Sequence, residues 1–282
     1  MSARLSRRAL IASIGGLAAL ASRIPSAVPA DKLPGAAPFR VYDSLFYLGK
    51  PDVAALGMLP ARGTGELWRA GQPRSVVDEI GVQRAVDCCR DFAGVFYLDV
   101  EHWCLFEQPD AVIDANLEKF VRLATVVRRA APGLTFGYYG VLPEIVYWPI
   151  VQPVGNQLEV WRATNRRARA IAPHVDVIFP SLYTFYADVA GWEKYAAETL
   201  REARQYGKPV YAFLWPEFHD SNKLLGGRNV PADYWRRELE LCRQYADGVV
   251  IWGGWQKRWA GDAGWWQETK SFLATLRPET RA

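Results

Sequence analysis

Short, almost continuously apolar runs alternate along the chain with longer amphipathic stretches. Segments 40–48, 94–100, 134–139, 175–183, 209–215 and 248–252 are of strand length and bounded by Gly, Pro or polar residues. Between them lie stretches with helical spacing. In 75–92, Val76, Val77, Ile80, Val82, Ala85 and Val86 form one apolar face. In 109–131, Leu117, Phe120, Val121, Ala124 and Val127 do the same, and Pro132-Gly133 ends the pattern. Segments 192–206, 232–245 and 265–276 read as further helices. Two parts resist assignment. Segment 49–74 is rich in Gly and Pro, with a short strand expected at 66–68, and 140–174 reads as irregular.

Strands that are apolar on both faces and alternate with helices imply a parallel sheet covered on both sides. No Gly-rich phosphate loop follows the first strand, which argues against a nucleotide-binding doubly wound sheet. The expected fold class is therefore α/β: a distorted TIM-like (β/α) barrel of seven or eight parallel strands. In such a barrel, functional side chains gather at the C-terminal strand ends. Here those ends carry Asp99 and Glu101, Tyr139, Tyr183, Trp215 with Glu217, and Trp252. Asp99 and Glu101 close the strand 94–100. Two residues apart, they share one side of a strand, about 6–7 Å from each other.

Composition changes this picture little, except at the N-terminus. Half of the 282 residues are hydrophobic, enough for a large core. The 12 Trp and 13 Tyr are a heavy aromatic load; core packing accounts for most, and rings of this kind also stack on sugars. The net charge of +4 comes from residues 1–30, which hold Arg4, Arg7, Arg8 and Arg23 and no acid. Without them the 34 basic residues fall to 30, equal to the 30 acidic ones. A neutral remainder gives no case for nucleic acid or an anionic membrane. Ser6-Arg7-Arg8, an apolar stretch over 9–21 and Val28-Pro29-Ala30 together read as a twin-arginine signal peptide. The apolar part is too short to span a bilayer, and no Cys is placed to carry a lipid anchor. The expected organisation is a signal peptide over 1–30, a linker over 31–39 and one catalytic barrel over 40–282. The expected partner in transit is the twin-arginine export machinery, with delivery to the periplasm or the medium and no stable membrane anchor. Cys88, Cys89, Cys104 and Cys242 match no zinc spacing; Cys104 with Cys242 is the disulfide to test, and buried thiols are the alternative.

Few chemistries remain. The three His (His102, His174 and His219) have no metal-ligand spacing, and no nucleophile elbow or reactive-cysteine motif occurs. No metal or other cofactor is expected. His102 points away from the acids in a regular strand and reads as a supporting or surface residue. Two carboxylates this close do not ionise freely together, so one is expected to stay protonated nearer neutral pH and act as a general acid.

Four ordered motifs then point to one family. Asp99-Val100-Glu101-His102-Trp103 matches a D-x-E-x-W strand end. Gly137-Tyr138-Tyr139-Gly140 leads to Pro143-Glu144. Phe179-Pro180-Ser181-Leu182-Tyr183 and Gly248-Val249-Val250-Ile251-Trp252 follow in order. Over roughly residues 70–256 the chain resembles the hyaluronidase-like glycoside hydrolases. The resemblance implies a distorted barrel and an enzyme cleaving a polysaccharide or oligosaccharide that contains N-acetylhexosamine, with displacement by the substrate's own 2-acetamido group; export is expected from the signal peptide. By that resemblance Glu101 is the proton donor and Asp99 orients the acetamido group. Tyr139 and Tyr183 contact it, and Trp252 walls the site. Trp103, Trp215, Trp255 and Glu217 complete the candidate substrate-binding set. The chain departs from the family at Ile145, where a Cys is usual, and in 209–215, where an Arg is common. Arg162, Arg166, Arg167 and Arg169 either supply positive charge for an anionic polymer or form an exposed helix face. Two other readings stay open: a two-carboxylate glycosidase pairing Glu101 with Glu217, and a non-catalytic carbohydrate-binding barrel.

Overall fold

The computed structural model describes residues 38–276. The signal-peptide assignment, and the linker apart from residues 38 and 39, lie outside the described residues. Six strands form one parallel sheet: β1 (Arg40–Leu45), β2 (Leu59–Thr64), β3 (Val95–Leu98), β4 (Thr135–Tyr138), β5 (Tyr211–Leu214) and β6 (Gly248–Gly253), in the order β4-β3-β2-β1-β6-β5. The sheet curls until its two edges meet across segment 175–182. On one side Asp176 N–H donates to Phe136 O at 2.9 Å and Gly140 N–H to Phe179 O at 2.9 Å. On the other, Tyr211 N–H donates to Ile178 O at 2.9 Å and Leu182 N–H to Phe213 O at 2.9 Å. The segment is thus the seventh stave of a closed, distorted barrel. It pairs only through isolated bridges, and Pro180, which has no N–H, breaks any regular ladder there.

The helices lie outside the staves. They are α1 (Glu79–Asp87), α2 (Asp110–Ala130), α3 (Trp148–Val151), α4 (Gln157–Ala168), α5 (Val189–Arg204), α6 (Ala232–Tyr245) and α7 (Gly264–Leu276). In α2 the buried residues Ile113, Leu117, Phe120, Ala124 and Val127 recur three or four apart, which is the face laid on the barrel. One contiguous core fills the space between staves and helices. The barrel axis itself is plugged by rings. Tyr97 meets Phe213 at 4.9 Å between centroids, Phe179 meets Phe213 at 5.6 Å, and Tyr42 meets Tyr211 at 4.8 Å.

Two expectations are corrected. The strand expected at 66–68 is not there; β2 lies at 59–64. Leu67 is buried and Trp68 packs edge-on to Trp103, both as loop residues and not as part of the sheet. The stretch 140–174 is not irregular: it holds α3, α4 and a 3-10 turn over Arg169–His174. The sparse buried face of α4, Trp161, Thr164, Asn165 and Ala168, hides its period. Arg162 and Arg167 of this helix, and Arg169 just after it, are engaged by acids of neighbouring elements. Arg162 bonds Glu198 at 2.6 Å, Arg167 pairs with Asp110 and Asp114, and Arg169 lies 3.7 Å from Glu202. All four cysteines are free. Cys104 follows β3 and Cys242 is buried in α6, elements on opposite sides of the ring, so the tested disulfide does not form.

Candidate active site

The site is built on the way β3 runs out. Tyr97 is its last inward residue, with its hydroxyl 2.9 Å from Ser44 Oγ of β1. Asp99 is two residues further on, just past the strand, and its N–H still donates to Thr64 O of β2 at 3.0 Å. The pleat therefore carries Asp99, and then Glu101, to the C-terminal mouth. Room for this comes from two glycines of the stretch that resists assignment in the sequence. A Cβ on Gly63 would lie 2.2 Å from the Tyr97 ring, and one on Gly65 would lie 3.2 Å from Asp99 O and 3.7 Å from its Oδ2. Gly63 needs glycine for space, and Gly65 leaves only a tight fit for any side chain.

Around the acids stand hydroxyls and rings from successive staves. Tyr139 follows β4, anchored by its N–H to Leu98 O at 3.0 Å, and its hydroxyl lies 3.1 Å from Ser181 Oγ of the seventh stave. Tyr183, at the end of that stave, is 5.7 Å from the Tyr139 ring and stacks on Trp252 at 5.9 Å with 29° between planes. Trp215 stands edge-on to Trp252 at 5.0 Å and packs on Tyr183 at 5.4 Å. Sequence reasoning missed Ser44, Gly63, Gly65, Tyr97 and Ser181. The inward alternation of β1 and β3 is the signal that reaches Ser44 and Tyr97.

The electrostatics tie the groups together. Burial pushes the Tyr139 hydroxyl well above its ordinary value of 10, and the charges of Glu101 and, more weakly, Asp99 push it further. Burial does the same to Tyr183, helped by Tyr139, Tyr97 and Asp99. Tyr97 is pushed up to about 12, first by burial, with Asp99 adding to the rise. The three tyrosines are therefore neutral hydroxyls, suited to holding a substrate atom and not to attacking one.

The remaining candidates separate. Trp103 is 2% exposed and lies between the barrel and α2, against Phe120 at 5.2 Å, with its Nε1–H donating to Arg74 O at 2.7 Å. It supports the acid-bearing loop and offers no face to a sugar. His102 turns outward, its Nε2 2.9 Å from Arg74 O. Glu217 is 2% exposed, with Lys257 Nζ donating to Oε2 at 2.6 Å and the Tyr47 hydroxyl to Oε1 at 3.4 Å. Trp255 stands at the outer rim. Among the described residues, no cluster of three or more His, Cys, Asp or Glu is placed to hold a metal. None of their helices is long and apolar enough to cross a membrane.

No protein-family model matches the chain, and no curated protein does. Solved structures do. Bee venom hyaluronidase in a monoclinic crystal aligns with a TM-score of 0.61 at 14% identity, covering 85% of this chain and 96% of that one. Bee venom hyaluronidase in complex with a hyaluronic acid tetramer aligns at 0.57 and 14%, covering 85% and 95%. At that identity the likeness is one of fold: the chain has a distorted (β/α) barrel similar to that of bee venom hyaluronidase.

Proposed function

We propose that the protein is an exported glycoside hydrolase that cleaves a polysaccharide containing N-acetylhexosamine with help from the substrate's 2-acetamido group. The observation that carries this reading is the placement of Asp99 and Glu101 together at the barrel mouth, against the buried hydroxyl of Tyr139. Glu101 gives its proton to the glycosidic oxygen as the bond from that oxygen to the anomeric carbon breaks. The acetamido oxygen bonds to the anomeric carbon from the opposite face. Asp99 accepts the acetamido N–H and steadies the positive charge that develops. The Tyr139 and Tyr183 hydroxyls hold the acetamido group and the sugar, and Trp252 and Trp215 wall the ring. Water then attacks the anomeric carbon, gives a proton to the Glu101 carboxylate, and releases the acetamido oxygen. The stereochemical outcome is retention.

The two-carboxylate alternative needs Glu217 as nucleophile or base. Both its oxygens already accept hydrogen bonds, from Lys257 and Tyr47, which favours the acetamido route. The neighbouring hyaluronidase supports an acetamido-bearing polymer, and the engaged arginines of α4 give no support to an anionic one.

A panel of soluble glycans, incubated with the wild type and Glu101→Gln, tests the reading. Cleavage confined to 2-acetamido polymers, with the variant slower by ~10²–10⁴, is the expected result. Cleavage of polymers lacking that group would remove the role given to Asp99. No cleavage of any glycan would leave only the binding-barrel reading. Export rests on residues 1–30, and replacing Arg7 and Arg8 together by Lys should hold the protein in the cytoplasm.

A further inference from the structure

Beyond the mouth, the chain spends considerable order on exposing one indole. Gly254 to Lys257 form a tight turn, closed by Lys257 N–H to Gly254 O at 3.0 Å, with Trp255 and Gln256 at its corners. Gln256 has φ 60°, a left-handed conformation uncommon for a residue with a side chain, and it makes the turn type II. The turn is held on every side. Phe46 N–H donates to Gly253 O at 2.8 Å, and Leu48 N–H donates to Lys257 O at 2.8 Å. Lys257 Nζ is tied to Glu217 at 2.6 Å and to Gly227 O at 3.1 Å. Beneath, a Cβ on Gly254 would lie 2.2 Å from the Tyr47 ring, so the turn is pressed onto that ring.

What this pinned turn displays is Trp255, 66% exposed, with Phe46 at 41% beside it, the centroids 5.6 Å apart at 69°. Phe46 and Trp255 follow the C-terminal ends of the neighbouring strands β1 and β6, so both stand on the mouth side of the barrel. Trp255 is also three residues after Trp252, which belongs to the cup around Tyr183. Single exposed apolar residues are ordinary. A strained, multiply anchored turn holding a Trp against a Phe, continuous with an aromatic cup, marks a ligand surface.

We infer that Phe46 and Trp255 form a second sugar subsite on the rim, stacking a pyranose of the same chain that the cup cleaves. The inference rests on the hydrolase reading and deepens it: the substrate extends outward past the cleaved unit, and binding depends on chain length. The ligand class is a neutral sugar face, whose C–H groups suit an indole. Glu217 then has a clear part as the acid that fastens the turn through Lys257.

Affinity electrophoresis through gels holding hyaluronan, chondroitin or glycol chitin separates this from the chemistry, because it needs no turnover. Wild type and Glu101→Gln should be retarded alike in at least one gel. Trp255→Ala should lose about tenfold in affinity there, Phe46→Ala less, and Trp255→Phe should recover part of the loss. On a cleaved polymer, Trp255→Ala should raise KM by a similar factor with kcat unchanged. An exposed side chain leaves the melting temperature where it was, so misfolding is checked directly. Retardation of Trp255→Ala equal to wild type, or no retardation of wild type in any gel, overturns the subsite. The effect of Glu101→Gln on hydrolysis judges the hydrolase reading separately.

Discussion

Two pairs of acids in this molecule differ sharply in their surroundings. Asp99 and Glu101 are half-buried at the mouth, close enough to charge the environment of Tyr139. Glu217 and Glu238 are almost wholly buried, and each accepts at least one hydrogen bond from the protein itself. Glu217 is held by Lys257 and Tyr47, and Glu238, 0% exposed in α6, accepts the Thr184 hydroxyl next to Tyr183. The first pair is open to a ligand and sits among neutral hydroxyls. The second has structural partners and no room. Access and hydrogen-bond partners thus separate carboxyl groups of one chemical kind into a pair at the mouth and a pair engaged by the protein's own donors.

That division has its largest consequence for activity at the mouth. Glu101→Gln should lower the hydrolytic rate by ~10²–10⁴ while leaving the unfolding midpoint unchanged. Asp99→Asn should fall in the same range on acetamido sugars. Steady-state kinetics beside calorimetric scans read both quantities, and a mouth variant that unfolds early without losing rate would break the comparison.

Glu238 sharpens it from the other side. Burial pushes its carboxyl well above the ordinary value of 4.5, against the weaker opposing effect of the Thr184 bond. Above pH 4.5 the unfolded chain releases this proton while the folded protein keeps it, so folding takes up a proton. Stability contributed by the group is full below 4.5 and falls as pH rises toward the folded value, by up to about 1.4 kcal/mol per pH unit. Urea unfolding of Glu238→Gln at pH 5 and pH 8 should show a flatter dependence than wild type. Equal slopes would mean that the fold does not keep this acid protonated.

How legible was this in the sequence? The six strongest staves announce themselves because they are buried on both faces and read as apolar runs. So do the acids, because they end such a run. β2 does not. Its LPARGT sequence buries little, and its glycine at 63 answers a ring, Tyr97, that comes 34 residues later. The value of Gly63 and Gly65 is a tertiary fact with no local signal. Gly63→Ala should therefore be destabilising by about 1–3 kcal/mol, since the added methyl meets the Tyr97 ring. Trp103 fails for the opposite reason: a Trp beside an acid motif looks like a sugar platform, and only the packing of α2 shows it enclosed. α4 was hidden because a helix with four buried residues carries almost no period.

The smallest expected effect is the most discriminating. Glu217→Gln keeps the size of the side chain and its ability to accept from Tyr47, and removes the charge that faces Lys257. Lys257 is 46% exposed at its side chain, so water takes over much of its solvation, and the loss should be only about 1 kcal/mol. Because the turn that carries Trp255 is fastened through this pair, the polymer KM should rise modestly, with kcat within about threefold of wild type. A nucleophile or base at this position would behave otherwise: its amide would cost orders of magnitude in kcat and little in stability. Urea titration and polymer kinetics on this one variant therefore decide whether Glu217 belongs with the fastening acids or with Glu101.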